Sequence, residues 1–486
     1  MKTRPRYPIQ LALVLPLLGV LSCSSVQRSA DWPQYLSNPF VINLDIPAPA
    51  DDKGSIIVAD LNNDCLKDYI VTVPGHIAAY SNEGRKLWIL NTDIRLSMDS
   101  EKWGLPGQHA PGVQAADVDD DGQIEVLFLT EDSTVHAIDG ATAAEEWTAK
   151  PRVPDGASRW EHLVVACFGG KGDADLLLQA TNTDGYRMGR YLNAHRISDL
   201  RNGNLEPVWQ TDAFLACAHT AARIADLDGD GKDEIIGGTI VSSEGNVLYR
   251  FDLTGHIDAI AVADVRPDIQ GLEVIALEEG SRRQKERERI FLANSTGLIW
   301  QGNHENREPQ DGAVGDFDPG RPGLEIFCRT RGTGLAAKPI PVEKFPANGY
   351  QEPFVIDAYG HVISDYSTKD VTPGGWTPMG LQVCQTIHWD GTAKALVVAT
   401  EREQSGSVAI FDPMDGKFAL HLKEEKADRL YVADISGDWR EEIIILNGNE
   451  LHIYHNEDSN PNPNSSRLWN DKHYTASKMT WNRSSN

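Results

Sequence analysis

One short acidic pattern returns along the chain and constrains its fold more than any other feature: an Asp, oxygen-bearing residues two and four positions later, and a carboxylate eight positions later. Asp60, Asn62, Asp64 and Asp68 form the first copy, Asp117, Asp119, Asp121 and Glu125 the second, and Asp226, Asp228, Asp230 and Glu234 the clearest. Asp434, Asp438 and Glu442 close the series. Looser copies carry Asp264 and Glu273, then Asp316, Asp318 and Glu325, with weaker equivalents at 167–175 and 386–394. Alternating positions let side-chain oxygens converge in a tight loop, and Gly122 and Gly231 permit the turn after the third ligand. A hard cation, calcium, is the expected guest. The last carboxylate comes earlier than in an EF-hand, and strand-like runs flank each loop where an EF-hand has helices.

Eight leading positions, near 60, 117, 167, 226, 264, 316, 386 and 434, set a repeat of roughly 53 residues, slightly above the period of a four-stranded propeller blade. After each loop comes an alternating strand, a Gly-containing turn and often an aromatic, as in HIAAYSNEGRKLW from His76, VHAIDGATAAEEW from Val135 and FLANSTGLIW from Phe291. Each unit therefore reads as four strands. With almost no helical periodicity, the chain is expected to be all-β: a single β-propeller, eight-bladed, or seven-bladed if the weak units near 167 and 386 are not true repeats.

No low-complexity linker divides the 486 residues, so one large domain is expected over 46–486. A net charge of −26 counts against a general nucleic-acid binder, which needs a basic footprint. A monomer is expected, and an anionic substrate could bind it only at a locally basic or metal-filled site. Lys2, Arg4 and Arg6 precede an apolar run over 11–21, and Val20, Leu21, Ser22 and Cys23 resemble a bacterial lipoprotein cleavage box. Residues 1–22 read as a signal peptide, Cys23 as the lipidated residue and 23–45 as a tether. The chain is thus expected to be exported, touching membrane through the lipid anchor, or to be periplasmic or secreted without it. Cys65, Cys167, Cys217, Cys328 and Cys384 are scattered with no CxxC spacing, so neither a disulfide framework nor a zinc knuckle is indicated, and most are expected to be buried, with one disulfide open in an exported chain.

A second periodic feature concerns histidines. His109 and His256 precede the leading Asp of a loop by eight residues, His219 precedes one by seven, and His162 holds a similar place in the third unit. Such residues are expected to start adjacent inner strands and to face the mouth of the central channel.

Residues 255–274 (GHIDAIAVADVRPDIQGLEV), 315–326 (GDFDPGRPGLEI), 433–444 (ADISGDWREEII) and the closing run 467–474 (RLWNDKHY) resemble the signatures of family 11 rhamnogalacturonan lyases. The resemblance covers most of the chain past its leader and is strongest after residue 215. It implies an eight-bladed propeller with several calcium ions and β-elimination of the rhamnogalacturonan I backbone at galacturonate. The family's GHGDAMH element keeps its first His as His256 and its Asp as Asp258, while Ala261 replaces the second His, and the equivalent element before Asp316 has none. Those losses point to a changed substrate.

Elimination needs the uronate carboxylate neutralised, a base for the C5 proton and an acid for the leaving oxygen. His109, His162, His219 and His256 are the candidate base and acid. Arg190, Tyr191, Arg223 and Asp258 are candidates to bind substrate. No nucleophile elbow, phosphate loop or HExxH helix is present. Three functions fit: a calcium-dependent lyase on rhamnogalacturonan I or another rhamnose-containing uronic polysaccharide such as ulvan, a non-catalytic calcium-stabilised glycan-binding or adhesion propeller, and a related enzyme trimming unsaturated uronic oligosaccharides.

Overall fold

A computed structural model of the chain describes residues 35, 37–49, 54–94, 112–182, 189–217, 221–279, 288–304, 307–330, 350–377, 380–402 and 406–480. His109, His219 and Cys23, like the leader and the lipoprotein box, lie outside them. Eight four-stranded antiparallel sheets follow one another as blades of a ring. Seven are consecutive, over 55–91, 113–149, 157–211, 223–250, 256–303, 309–365 and 381–422. The eighth takes three strands over 429–454 and a fourth from the start of the chain: Phe40–Asn43 pairs with Glu450–Tyr454, Phe40 opposite Ile453 and Asn43 opposite Glu450. This corrects the tether assigned to 23–45. A ring of blades closes only if both chain ends supply strands to one sheet, which removes the open edges that would otherwise recruit other chains.

Every one of the eight loop units falls in its own blade, between the innermost strand and the next. Ser55–Ala59 and Asp68–Val73 flank the first loop, and Arg429–Ala433 and Glu442–Asn447 the last. The weak units belong too: 167–174 follows Ala157–Ala166, and 388–395 follows Leu381–Ile387. The repeat was legible because it carries backbone demands, positive φ at Gly122 (86°) and Gly231 (85°) among them.

The core is a set of wedges. Ile56, Val58, Tyr69 and Val71 of the first blade pack on Tyr431, Ile444 and Ile453 of the eighth, and Val274, Ala276 and Phe291 of the fifth pack on Ile236, Ile240 and Phe251 of the fourth. Second strands are therefore buried on both faces, which explains their continuous apolar runs, such as IIIL in Glu442–Asn447. Outer strands alternate instead, as Glu145–Ala149 does.

The closing segment forms a short 3₁₀ turn, Leu468–Asn470, and a helix, Lys472–Thr480, that sequence periodicity did not announce. The helix lies across the ring on the face of the acidic loops. Lys472 Nζ is 2.6 Å from Asp173 of the third blade, His473 Nε2 is 3.3 Å from the carbonyl of Val262 in the fifth, and Lys478 Nζ donates to the carbonyl of Thr386 in the seventh at 3.4 Å. Buried Glu441 of the eighth blade accepts from Trp469 Nε1 at 2.9 Å and Tyr474 Oη at 2.7 Å. Beneath the helix lies a cavity of about 780 Å³, lined by Asp60, Asp117, Asp226 and Lys67. The loop face of the channel is thus covered, and inner strands begin on the opposite face. Among the described residues no helix is long and apolar enough to cross a membrane. Cys167, Cys217, Cys328 and Cys384 are buried and outside any disulfide, whereas Cys65 is disulfide-bonded.

Candidate functional site

Two kinds of polar cluster stand at opposite ends of the blades. On the loop face, one oxygen each of Asp117, Asp119 and Glu125 lie within 4.8 Å of one another, as do those of Asp226, Asp228 and Asp230. Asp226 is fastened by the loop backbone: Oδ1 accepts from the N–H groups of Gly229 and Asp230, and Oδ2 accepts from Gly231 at 2.9 Å. The closing carboxylate ties the loop back, Glu234 Oε2 accepting from Leu227 N at 2.9 Å, as Glu125 does from Val118 and Asp68 from Leu61. Burial, reinforced by the neighbouring carboxylates, raises Glu234 and Glu125 to about 7. A carboxylate strained that far toward neutrality is one that a cation would stabilise. Asp316 Oδ1 and Glu325 Oε1 in the sixth blade, and Glu273 Oε1 in the fifth, are buried without a hydrogen-bond partner, although Glu325 and Glu273 each accept two backbone N–H groups on the other oxygen. These loops fit a calcium ion by charge and by donor type.

In the eighth loop the two leading carboxylates expected to bind metal, Asp434 and Asp438, are each met by an arginine. Arg467 Nε lies 2.6 Å from Asp434 Oδ2, and Arg440 places Nε and Nη2 2.9 and 2.7 Å from Asp438 Oδ2. Guanidinium groups thus hold both leading carboxylates of this loop. Glu442 remains buried and accepts from Ile435 N at 2.7 Å, a tie between loop and strand. Single arginine contacts occur in other loops: Arg321 binds Asp318 at 2.9 Å, and Arg201 reaches Asp119 at 2.5 Å.

The second kind of cluster lies at the start of an inner strand, on the face away from the helix. His256 opens His256–Ala263 and stands opposite Glu279 in the neighbouring strand, so both side chains leave one side of the sheet. A bulge between Ile257 and Ala259 takes Asp258 out of the pairing ladder, a common way to re-aim a side chain. His256 Nε2 comes 2.8 Å from Asp258 Oδ1 and 3.5 Å from Glu279 Oε2. Asp258 is 1% exposed, while the other two are half-buried and open to solvent. One imidazole nitrogen and two carboxylate oxygens within 4.8 Å could hold a divalent ion.

The other sequence candidates are placed differently. His162 is not at a strand start: it sits in the middle of Ala157–Ala166, 1% exposed, against Ala222 of the next blade, and burial pushes it down to about 3. A side chain wholly enclosed between two blades reaches no substrate, and this corrects its assignment as base or acid. Arg223 does start an inner strand, Arg223–Ala225, but is 4% exposed, near enough to help lower His162 and His473. Arg190 stacks on the Tyr191 ring, 5.2 Å from its centroid, and lies 3.9 Å from Asp212, at the start of Tyr191–Arg196. Asp258, expected to bind substrate, lies 2.8 Å from His256. Glu279 was missed. Its only signal is register, six residues beyond Glu273 and opposite His256.

Fold and site together define a β-propeller with carboxylate-rich cation loops on one face and a mixed His/Asp/Glu cluster on the other. The profile of rhamnogalacturonan lyase family 11, C-terminal domain, matches residues 185–486, and the chain belongs to that family. It is 27% identical over 428 residues to the rhamnogalacturonan endolyase YesW of Bacillus subtilis (strain 168), covering 78% of this chain and 61% of YesW. It is 27% identical over 429 residues to the rhamnogalacturonan exolyase YesX of the same organism, covering 78% of this chain and 64% of YesX. The chain therefore spans about three fifths of the length of the curated relatives it matches. The crystal structure of exotype rhamnogalacturonan lyase YesX shares the fold, with a TM-score of 0.66 at 20% identity over 92% of this chain and 81% of that chain.

Proposed function

We propose that the chain is a polysaccharide lyase that cleaves a rhamnogalacturonan I-type backbone by β-elimination on the face where inner strands begin. The observation that carries this reading is the His256, Asp258 and Glu279 cluster, partly open to solvent, in a chain of this family. A calcium ion bound there would neutralise the uronate carboxylate and so make the C5 proton acidic. Asp258, buried in its bulge, holds the imidazole of His256 in place, and Glu279 supplies the second negative oxygen from across the strand pair. For proton removal and donation, His109 and His219, which lie outside the described residues, stay the histidine candidates from the sequence, and Tyr191, beside Arg190, a candidate acid. The carboxylate loops on the covered face staple the blades. Ulvan is the second substrate to try, because Ala261 stands where the family motif has a histidine. The lipoprotein reading of Cys23 completes the proposal: an exported enzyme held at a membrane by lipid.

The test is incubation of the chain with rhamnogalacturonan I, ulvan, glucuronan and homogalacturonan, with and without chelator, following ultraviolet absorbance of the unsaturated uronate. A chelator-sensitive rise on rhamnogalacturonan I, lost by at least about 100-fold in His256→Gln at unchanged melting temperature, is expected. No rise on any polymer from a folded, calcium-loaded chain would overturn the lyase reading in favour of a glycan-binding propeller or an oligosaccharide-trimming relative.

A further inference from the structure

The cluster at His256 hangs on an ion pair one layer behind it. Glu278, next in the chain to Glu279, is fully buried, and it opposes Ile257 across the strand pair, so its side chain leaves the other side of the sheet. Its Oε1 accepts from the backbone N–H of Thr254 at 2.6 Å and of Gly255 at 2.8 Å, and from Thr254 Oγ1 at 3.2 Å. Its Oε2 takes the Arg289 Nε–H at 2.6 Å, while Arg289 Nη2 donates to the carbonyl of Asp252 at 2.5 Å. The guanidinium also lies over the Phe291 ring, 4.9 Å from its centroid. One carboxylate thus grips the turn that delivers His256 and belongs to the dipeptide that delivers Glu279.

We infer that Glu278, braced by Arg289, is the positioning residue of the His256 centre: it fixes where the imidazole and the Glu279 carboxylate meet, and so sets how tightly that centre binds a divalent cation. The inference rests on the proposed role of the His256 cluster as a cation centre. Its physical basis is the cost of a misplaced ligand. Paired backbone N–H donors make a charge-assisted brace, and partners that orient ligands in this way commonly change metal affinity ten- to a hundred-fold when removed. A buried carboxylate with three donors on one oxygen and an arginine on the other is also expensive to maintain as a mere hairpin tie, since apolar residues do that task as well.

The experiment uses the full chain labelled with ¹³C-histidine, and reads the His256 resonance, assigned by its loss in His256→Gln, during calcium titration. Glu278→Gln and the milder Arg289→Lys are compared with Arg429→Lys, an inter-blade tie in the eighth blade whose Nε donates to Gly54 O at 2.9 Å. The inference expects the calcium midpoint at His256 to rise at least about tenfold in Glu278→Gln and severalfold in Arg289→Lys, with Arg429→Lys lowering the melting temperature at an unmoved midpoint. An unchanged midpoint in Glu278→Gln, or an equal rise in Arg429→Lys, would overturn it. Because the readout is ion binding, a chain that binds calcium at His256 but cleaves none of the four polymers would sink the lyase reading and leave this one standing.

Discussion

The fourth and eighth loops are written on the same template and solve the same electrostatic problem in opposite ways. In the fourth, Asp226, Asp228 and Asp230 bring one oxygen each within 4.8 Å of one another, and the loop's own backbone is the sole source of donors among the described contacts of Asp226. In the eighth, the chain returns from its C-terminal end to place Arg467 against Asp434, and Arg440 covers Asp438. Both loops bend the backbone alike, with Gly229 and Gly437 at φ 78° and 80° at the fourth position and Gly231 and Trp439 at 85° and 68° at the sixth. A carboxylate loop is therefore a demand for positive charge, and local spacing does not say whether an ion or a guanidinium will meet it.

The sharpest way to break this comparison is to remove the internal cation. Arg467→Met leaves Asp434 buried without its countercharge, and a loss of about 3 kcal/mol is expected, of the same size with and without calcium. Its pH dependence has a definite sign. Burial already lifts Asp434 to about 6 in spite of Arg467. A folded-state value above the unfolded one means that the charged form costs stability, so the variant's deficit should grow as pH rises through 6 and above, and shrink as pH falls toward 4. Thermal melts between pH 5 and 8 measure this, and a deficit that shrinks as pH rises would refute it. Adding Asp434→Asn should recover most of the loss.

A smaller effect is expected at the fourth loop, and there it should depend on calcium. An ion at a hundred times its dissociation constant adds about 2.7 kcal/mol per site. Asp226→Asn should therefore lower the melting temperature in calcium by several degrees and by much less in chelator, whereas Asp434→Asn should show no such split. Calcium titration of the melting temperature decides it. The smallest effect concerns the turns. Gly229→Ala faces open space and should cost only the strain of positive φ, about 1 kcal/mol, while Gly437→Ala, at the same loop position, meets Arg467 Nη1 at 3.4 Å and should cost slightly more. Equal losses would show that Arg467 yields freely.

The propeller was legible because its period is dictated by backbone physics that repeats eight times: a loop of oxygen ligands with a left-handed turn, a doubly buried second strand, and a hairpin. Even the weak third unit declared itself, since Asp175 accepts from Phe168 and Gly169 much as Glu325 does from Phe317 and Asp318. The seventh shows the limit. It lacks a closing carboxylate, and His388 N instead donates to Glu441 of the eighth blade at 2.9 Å, a substitution across 53 residues that no local pattern announces. The site was half legible. The periodic offset that singled out His256 also singled out His162, yet the first lies at a partly open strand start and the second inside a blade interface. Offset measures distance along a strand; burial depends on the next blade.

By itself, then, the sequence determined what recurs: the loops, the strand order within each unit, the number of units and the family. It did so because turns and strand patterning act over a few residues. Tertiary structure decided what the ring brings together from far apart: the strand at 40–43 closing the eighth blade, the C-terminal helix across the loop face, Arg467 against Asp434, and Glu279 beside His256. Charge pairing and burial depend on distance through space, and in a closed ring the nearest neighbour in space can be more than four hundred residues away, as Phe40 is from Ile453.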